Sequence, residues 1–429
     1  MMSTRVVALG ALVLLMSIVG AAQAQVRLTL REAEEIAVRN HPQINAALLN
    51  AQAANLAPAE IGAVRYPTLQ ANLNGAGATS DARIGAGGLN NPLILSRGAA
   101  GISISQSIFD FGRTNSLVES ARLKAKASDQ AAEATRAQVL LQVDRAYFLA
   151  LRAQALLKVA EQTVAARQLV VEQVEALRQS GLKSGLDVSI ASYNLSEARL
   201  LASKAQNEVK AAHADLAAAL GNRDEQVFEL ADEVLPADPV ADSSVLVKDA
   251  LLKRPELRGL QFERDAAYQF LKAEKSLKMP SITGLWNAGW IPFGDSRLSS
   301  RYSAAGFSIS IPIFNGRLYK TREAEAEFKA RAVEQILRES ENRVARDVRI
   351  AWLNINSAFE RIGLSAQLLN RANEALDLAQ ERYRLGLSSI VELSQAQLNV
   401  TIAQIESTNT KYDYLLQRAV LNYQSAQSR

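Results

Sequence analysis

The sequence contains no cysteine in 429 residues. Disulfide bonds, thiolate metal sites, a cysteine nucleophile and a lipid-modified amino-terminal cysteine are therefore excluded. Histidine is almost as scarce, because His41 and His213 are the only two in the chain. A multi-histidine metal centre or a haem pocket is not expected from so few histidines, and we predict no cofactor.

Glycine and proline are also infrequent, with 22 and 10 residues, and aromatic residues make up only 6% of the chain. The chain is instead rich in Ala, Leu, Gln and Glu. This composition is typical of long helices that pack at close range. The formal charge of +4 is a small difference between 48 basic and 44 acidic residues. This charge gives no reason to expect a nucleic-acid partner, and none is predicted.

The first 24 residues have the pattern of a secretory signal peptide. Arg5 supplies a positive charge, an apolar run extends from Val6 to Val19, and Ala22-Gln23-Ala24 forms an A-x-A cleavage site. An amino-terminal membrane anchor is the alternative, although this apolar run is short for one. After residue 24 no stretch approaches the ~18 continuous apolar residues of a spanning helix. If the mature chain crosses a membrane, we expect it to do so with strands.

Long stretches without breakers predict two long helical hairpins. Residues 113–180 contain neither Gly nor Pro and can form one helix, which at 1.5 Å per residue is about 100 Å long. Residues 186–220 then fold back beside it after a tight tip. The second half predicts helices at 317–385 and 389–425, with a tip at Gly386. A simple antiparallel coiled coil is the alternative interpretation of this pattern.

The second half of the sequence repeats the first. An offset of 205 residues aligns the glycines of the two tips, Gly181 and Gly386, and a slightly larger offset aligns the segments upstream. A duplicated unit of this length is too long for a solenoid repeat and indicates the duplication of a half-molecule. We therefore predict a first repeat, an acidic linker and a second repeat at residues 25–220, 221–243 and 244–429.

Each repeat also contains two segments in which polar and apolar residues alternate. This period of two fits strands that have lipid on one side and water on the other. Trp286, Trp290 and Tyr302 lie near the ends of these segments, where they are predicted to form an interfacial girdle. A pair of half-buried soluble hairpins is the alternative. Four strands do not close a membrane barrel, so a spanning version needs several chains. The predicted strands are residues 68–80, 99–108, 281–292 and 303–313.

Several short motifs occur in the same order in both halves. They are Asn40-His41-Pro42 and Arg254-Pro255-Glu256-Leu257, Tyr66-Pro67 and Met279-Pro280, Ile108-Phe109-Asp110-Phe111-Gly112-Arg113 and Ile313-Phe314-Asn315-Gly316-Arg317, and the tip segments 180–188 and 382–393. In this order and in duplicate, the motifs resemble those of the TolC-like outer-membrane efflux protein family, also called the outer membrane factor family. The resemblance covers essentially all of the mature sequence.

The resemblance implies a mainly α-helical fold with a small β part. Two tandem repeats, each a long antiparallel helical hairpin plus a two-stranded hairpin, would form a homotrimer with a 12-stranded β-barrel and a periplasmic helical tunnel. It further implies the exit duct of a tripartite efflux or type I secretion system in the outer membrane of a Gram-negative bacterium. The implied partners are outer-membrane lipid, a periplasmic membrane-fusion adaptor and an inner-membrane pump of RND or ABC type. Without cysteine, no lipid anchor is expected.

The resemblance also assigns roles to residues of the two tips. Tyr383 matches a tyrosine that bonds to an aspartate of the other tip, here Asp187, when the periplasmic gate is closed. Glu392 and Gln395 match two constricting acidic positions of the gate. A ring of three Glu392 side chains is one interpretation, and a solvated acid favourable to the helix dipole is the other. Ser388 stands where some members have an arginine that reinforces the gate. The implied adaptor-docking residues are Gly181, Leu182, Gly185, Gly386, Leu387 and Ser388.

An enzyme is not predicted. Neither histidine has a catalytic partner in the pattern, and the sequence contains no phosphate-binding loop and no Gly-x-Ser-x-Gly turn. The alternative from another functional class is a soluble periplasmic coiled-coil adaptor or scaffold, which explains the hairpins but not the duplicated strands. The cargo is left open between drugs, metal ions and polypeptides.

Overall fold

A computed structural model describes residues 27–79, 96–223, 228–235, 242–293 and 299–427. The predicted signal peptide at 1–24 lies outside these residues, as do Pro236 and Pro239 of the predicted linker.

The two repeats form the same series of helices in the same order. Helices α1 to α4 of the first repeat span Leu30–Asn40, Pro42–Gly62, Arg113–Gln179 and Gly185–Ala219. Helices α5 to α8 of the second repeat span Ser243–Lys253, Pro255–Lys275, Leu318–Arg384 and Ile390–Gln424. Corresponding helices have equal lengths of 11, 21, 67 and 35 residues. The duplicated sequence therefore gives a duplicated structure, and the long helices end within one residue of the predicted bounds.

Local sequence determines where several of these helices begin. Thr29 caps α1 in a capping box with Glu32, and Ser184 caps α4 in the same way with Asp187. Each box satisfies two backbone N–H groups that have no partner within the helix. Pro255 begins α6, a position where the missing N–H of proline costs nothing.

Six strands form two sheets in the described part of the chain. The strands β1 to β6 span Arg27–Leu28, Thr68–Ala76, Arg97–Phe109, Glu229–Leu230, Ser281–Phe293 and Arg301–Ser310. Strands β1 and β4 pair in parallel, and the other four form an antiparallel sheet in the order β2-β3-β5-β6. Strand β2 ends four residues before the predicted bound, in a glycine-rich segment that disfavours strand. Strand β6 ends at Ser310 rather than residue 313, because Pro312 has no N–H for the ladder.

The four-stranded sheet has one apolar and one polar face. Directly paired residues of antiparallel strands lie on the same face, and the face alternates along each strand. Trp286 pairs with Ile104, whereas the next residue, Asn287, pairs with Ser103. By this rule the apolar face carries Leu69, Leu73, Ile102, Ile104, Trp286, Trp290, Phe307 and Ile309, and the polar face carries Thr68, Gln70, Asn72, Ser103, Ser105, Asn287 and Ser308.

The described residues belong to two compact units, and neither unit coincides with one repeat. The first unit draws on the described residues within 1–41, 139–239 and 354–419, and the second draws on those within 42–138, 240–353 and 420–429. Each therefore contains parts of both repeats. The first unit holds the two helical tips and the β1–β4 pair, and the second holds the four-stranded sheet. In the described ranges, none of the helices combines the length and the apolar character needed to cross a bilayer.

Tyr147 anchors the β1–β4 pair to helix α3 in the first unit. Its side chain is fully buried, and its hydroxyl lies 2.9 Å from the carbonyl oxygen of Leu28 and 2.7 Å from that of Ala231. Burial, with a smaller contribution from the charge of Glu233, raises the pKa of Tyr147 to about 12. The neutral phenol is therefore the form that the fold requires.

The raised pKa predicts a loss of stability in alkaline solution. Tyrosine in an unfolded chain ionises near pH 10, so the stabilisation from Tyr147 is complete below about pH 10 and is lost as the pH rises through its folded pKa of about 12. A pKa shift of this size corresponds to about 2–3 kcal/mol of folding free energy.

We expect Tyr147→Phe to lower the melting temperature at pH 7 and to flatten the decline of the melting temperature between pH 10 and 12. Thermal unfolding followed by circular dichroism measures both effects. The exposed Tyr193, changed to Phe, is the control, and an unchanged decline in Tyr147→Phe contradicts the prediction.

Candidate functional site

Each long hairpin turns at a glycine that is followed by an exposed leucine. Gly181 and Gly386 have φ angles of 71° and 75°, in the left-handed region that favours glycine. Both turns are Schellman motifs. The N–H of Leu182 donates to the carbonyl of Leu177 at 2.9 Å, and the N–H of Leu387 donates to the carbonyl of Arg382 at 2.8 Å. Leu182 and Leu387 are 70% and 67% exposed. Each tip therefore presents an apolar side chain to solvent.

Next to the turns, side chains from four helices form one hydrophobic cluster. The cluster contains Tyr383 near the end of α7, together with residues of α3, α4 and α8. The buried members are Val171, Val174, Ala191, Leu195, Tyr383, Ile390 and Leu393. The tips of the first and second repeats are thus packed against each other within the first unit.

Tyr383 does not bond to Asp187 in this chain, contrary to the predicted contact. Both the backbone N–H and the hydroxyl of Ser184 donate to the Asp187 carboxylate, at 2.9 Å and 2.7 Å. These bonds lower the pKa of Asp187. The hydroxyl of Tyr383 is buried and has no hydrogen-bond partner among the described residues. Burial, and secondarily the charge of Asp187, raises the pKa of Tyr383. The carboxylate of Asp187 therefore accepts hydrogen bonds within the capping box of α4 and not from Tyr383.

A different contact joins the two tips. The ammonium of Lys183, in the first tip, lies 4.1 Å from the centroid of the Tyr383 ring. This is the geometry of a cation–π interaction. Farther along the helices, the amide of Asn194 donates to the hydroxyl of Ser394 at 2.9 Å. Lys183 carries no signal in the sequence that would reveal this role, because its partner lies in the other repeat.

Glu392 is paired with a basic residue of its own tip. The Nε atom of Arg382 lies 3.0 Å from the Glu392 carboxylate, and both side chains are about half exposed. An exposed pair of this kind adds little stability, but it sets a positive charge beside the acid. The amide of Gln395 donates to Asn399 at 3.0 Å along α8.

The remaining tip residues have local roles. Gly185 begins helix α4, and no heavy atom lies within 4 Å of the position that a Cβ would take there. The hydroxyl of Ser388 is buried without a hydrogen-bond partner in the described part of the chain.

The three aromatic residues of the predicted girdle lie on opposite faces of the sheet. Trp286 and Trp290 are on the apolar face, and Trp290 is half exposed. Tyr302 pairs directly with Gly289, which lies on the polar face beside Gly101. Tyr302 therefore does not share a girdle with the tryptophans, contrary to the prediction. Tyr302 lies five and seven residues before Phe307 and Ile309, so the period of two within β6 already places it on the face opposite to them.

No group of three His, Asp or Glu side chains suited to a metal ion occurs in the described ranges. His213 is buried, and its Nε2 atom lies 2.9 Å from the side-chain amide of Gln154. Burial lowers the pKa of His213, so it is held in its neutral form inside the α3–α4 hairpin.

The sequence matches the family model for outer membrane efflux proteins over residues 34–222 and 246–423. These two segments make up most of the chain and include both tips and all four strands of the larger sheet. The chain belongs to the outer membrane efflux protein family.

Individual relatives agree with this membership. The chain is 27% identical over 327 residues to the outer membrane protein TolC of Vibrio cholerae serotype O1 (strain ATCC 39315 / El Tor Inaba N16961), covering 74% of each sequence. It is 23% identical over 349 residues to TolC of Escherichia coli (strain K12), covering 76% of this chain and 69% of that protein. Its fold is similar to that of the outer-membrane channel OprN, with a TM-score of 0.80 and 18% identity over 93% of this chain and 90% of that one.

This outer membrane efflux protein therefore has the fold of outer-membrane channels, and its place is the outer membrane. The alternative of a soluble periplasmic adaptor or scaffold is not supported, because the likeness extends through the strand segments as well as the hairpins.

In this outer membrane efflux protein, we expect Glu392→Gln to change ion selectivity only slightly. Arg382 already offsets the charge of Glu392 at 3.0 Å, so removing the acid changes the local potential little. Arg382→Gln exposes the carboxylate and should increase the preference for cations over anions. The reversal potential of single channels in a KCl gradient measures both variants. A large loss of cation preference in Glu392→Gln, with none gained in Arg382→Gln, would establish the acidic ring instead.

Proposed function

We propose that three copies of this outer membrane efflux protein form the exit duct of a tripartite efflux or type I secretion system. The observation that carries the proposal is the sheet, which has an apolar face, a polar face and two edge strands, β2 and β6. An open edge leaves unpaired backbone groups, which a bilayer does not tolerate. Pairing β6 of one copy with β2 of the next closes twelve strands, with the apolar face toward lipid and the polar face toward water.

The barrel and the trimer hold the protein in the membrane. The chain has no cysteine to carry a lipid anchor. The long helices form the periplasmic tunnel that leads to the barrel, and the protein resides in the outer membrane of a Gram-negative bacterium.

The two tips dock a periplasmic membrane-fusion adaptor, which links the duct to an inner-membrane pump of RND or ABC type. The exposed Leu182 and Leu387 supply apolar contacts. No heavy atom lies within 4 Å of the position that a Cβ would take at Gly181 or Gly386, so a partner helix can approach the backbone closely. Tyr383, Asp187, Glu392 and Gln395 belong to the gate at the same entrance.

Cell fractionation and conductance test the duct itself. The full chain is expected in the outer-membrane fraction as a trimer that dissociates only on heating, and it is expected to form ion-conducting channels in planar bilayers. Recovery as a monomer in the soluble periplasmic fraction would overturn the proposal.

Single cysteines test the docking of the adaptor. Because the chain has no cysteine, Leu182→Cys and Leu387→Cys each introduce one thiol for a photo-crosslinker. Both are expected to crosslink in cells to a periplasmic adaptor that itself co-purifies with an inner-membrane pump. Leu200→Cys is the matched control, since Leu200 is 58% exposed on α4 but lies away from the tip. Crosslinking of the adaptor to Leu200→Cys but not to the tip variants contradicts docking at the tips.

A further inference from the structure

Tyr302 is an aromatic residue on the polar face of the sheet. Strand pairing places Asn72, Gly101, Gly289 and Tyr302 in one row across β2, β3, β5 and β6. In the regularly paired part of the described strands, between the two register shifts of β3 and β5, no other aromatic side chain lies on this face. The apolar face, in contrast, carries two tryptophans and a phenylalanine.

The side chain of Tyr302 extends over two glycines. A Cβ at Gly289 would lie 2.5 Å from both the Cζ and the hydroxyl oxygen of Tyr302, and a Cβ at Gly101 would lie 2.6 Å from that hydroxyl. Gly101 belongs to β3, the second strand from β6, and neighbouring strands are about 4.8 Å apart. The ring therefore extends across β5 instead of standing upright from the sheet. The outer end of the ring lies against the glycine backbone, as aromatic residues do when they rescue glycines in a sheet.

Part of the Tyr302 side chain is open to solvent. Tyr302 is 42% exposed, although its outer end lies against the two glycines. Contact with the two glycines restricts the orientation of the ring. A ligand that stacks on the ring therefore does not have to order a mobile side chain. Adjacent positions on the same face are Asn72, Ser103 and Asn287, which offer amide and hydroxyl groups. An ordered aromatic surface bordered by hydrogen-bonding groups suits a flat ring system.

We propose that Tyr302 is a stacking platform for planar aromatic compounds inside the pore. The inference rests on the proposed function, in which the polar face lines a water-filled duct. Threefold symmetry then sets three such rings around the path of the cargo. Planar aromatic solutes stay longer at this level of the pore than saturated solutes of the same charge.

Single-channel recording with two organic monocations tests the platform. N-methylacridinium is planar and aromatic, whereas tetraethylammonium has the same charge and no ring, so their comparison removes the effect of charge. We expect N-methylacridinium to interrupt the current of the wild type for longer than tetraethylammonium does. Tyr302→Phe keeps the ring and should keep this dwell time. Tyr302→Leu covers the glycines without a π face and should shorten the dwell time about 5- to 10-fold, with tetraethylammonium unaffected.

Equal dwell times of N-methylacridinium in the wild type and Tyr302→Leu would overturn the platform. Equal dwell times of the two cations in the wild type would do so without any variant. Tyr302→Met provides the same comparison if Tyr302→Leu does not assemble into trimers. A wild type that forms no channel at all would overturn the proposed function instead, so the two failures are distinguishable.

Discussion

Lys183→Met should open the resting channel, whereas Tyr383→Phe should leave it closed. Lys183→Met removes the ammonium that lies 4.1 Å from the centroid of the Tyr383 ring but keeps an unbranched side chain. A cation–π contact is worth about 0.5–2 kcal/mol, depending on its exposure. Three copies in a trimer sum to about 1.5–6 kcal/mol. Since each 1.4 kcal/mol changes a population ratio about tenfold, we expect a resting conductance at least ten times higher.

Tyr383→Phe keeps the aromatic ring and removes a hydroxyl that is buried without a hydrogen-bond partner in the described residues. Removing a buried hydroxyl that has no partner is neutral for the closed state or slightly stabilises it. Tyr383→Leu, which removes the ring itself, should open the channel as Lys183→Met does. Conductance in planar bilayers at low voltage measures all three variants. Lys204→Met, at an exposed position of α4, controls for the loss of one positive charge.

A hydrogen-bonded contact between Tyr383 and Asp187 predicts the opposite ranking. In that case Tyr383→Phe would open the channel, and Lys183→Met would not. That result would show that the trimer releases Asp187 from the capping box of α4. The bond between Asn194 and Ser394 lies farther along the helices and is intact in every variant, so we expect the tips to loosen without separation of the hairpins.

The long helices could be predicted closely because their ends are encoded locally. Gly181 and Gly386 stop α3 and α7, and the Ser184 capping box starts α4. No sequence prediction covers the four shorter helices. Pro58 lies inside α2, where it counts against a helix on local grounds, and packing has overridden that preference. Helices α2 and α6 have equal lengths, so the alignment of the two repeats is the feature of the sequence that indicates a helix at α2.

The positions of the tips could be predicted, but their contacts could not. The Ser184-x-x-Asp187 spacing is a capping-box signal that was available in the sequence and identifies the partner of Asp187. The contact of Lys183 with Tyr383 joins two repeats and depends on how their helices pack, for which single residues carry no signal. The face of Tyr302, in contrast, could be predicted, because the period of two within β6 places it with Ser308 and opposite Phe307.

Gly221→Ala should cause the largest loss of stability among the glycine substitutions in the first unit. Gly221 follows α4 with φ at 81°. A Cβ there would lie 2.9 Å from the Cα of His41 and 3.2 Å from the carbonyl carbon and oxygen of Asn40. The left-handed conformation costs about 1–2 kcal/mol for any other residue. The clash adds about 1–3 kcal/mol, because its partner is backbone at the end of α1 and has no side-chain torsion to relieve it.

Two glycines of the first tip separate these contributions. Gly181 has φ at 71° but no heavy atom within 4 Å of a Cβ position, so Gly181→Ala should lose only the conformational part. Gly185 has equal space and lies outside the left-handed region, in the first turn of α4, so Gly185→Ala should be neutral or stabilising by up to about 1 kcal/mol. Melting temperatures of the purified proteins should therefore fall in the order Gly185→Ala, Gly181→Ala, Gly221→Ala. Equal losses at Gly181 and Gly221 would mean that the end of α1 moves aside freely. The predicted order instead requires that the close approach of Gly221 to His41 holds the end of α1 against the end of α4.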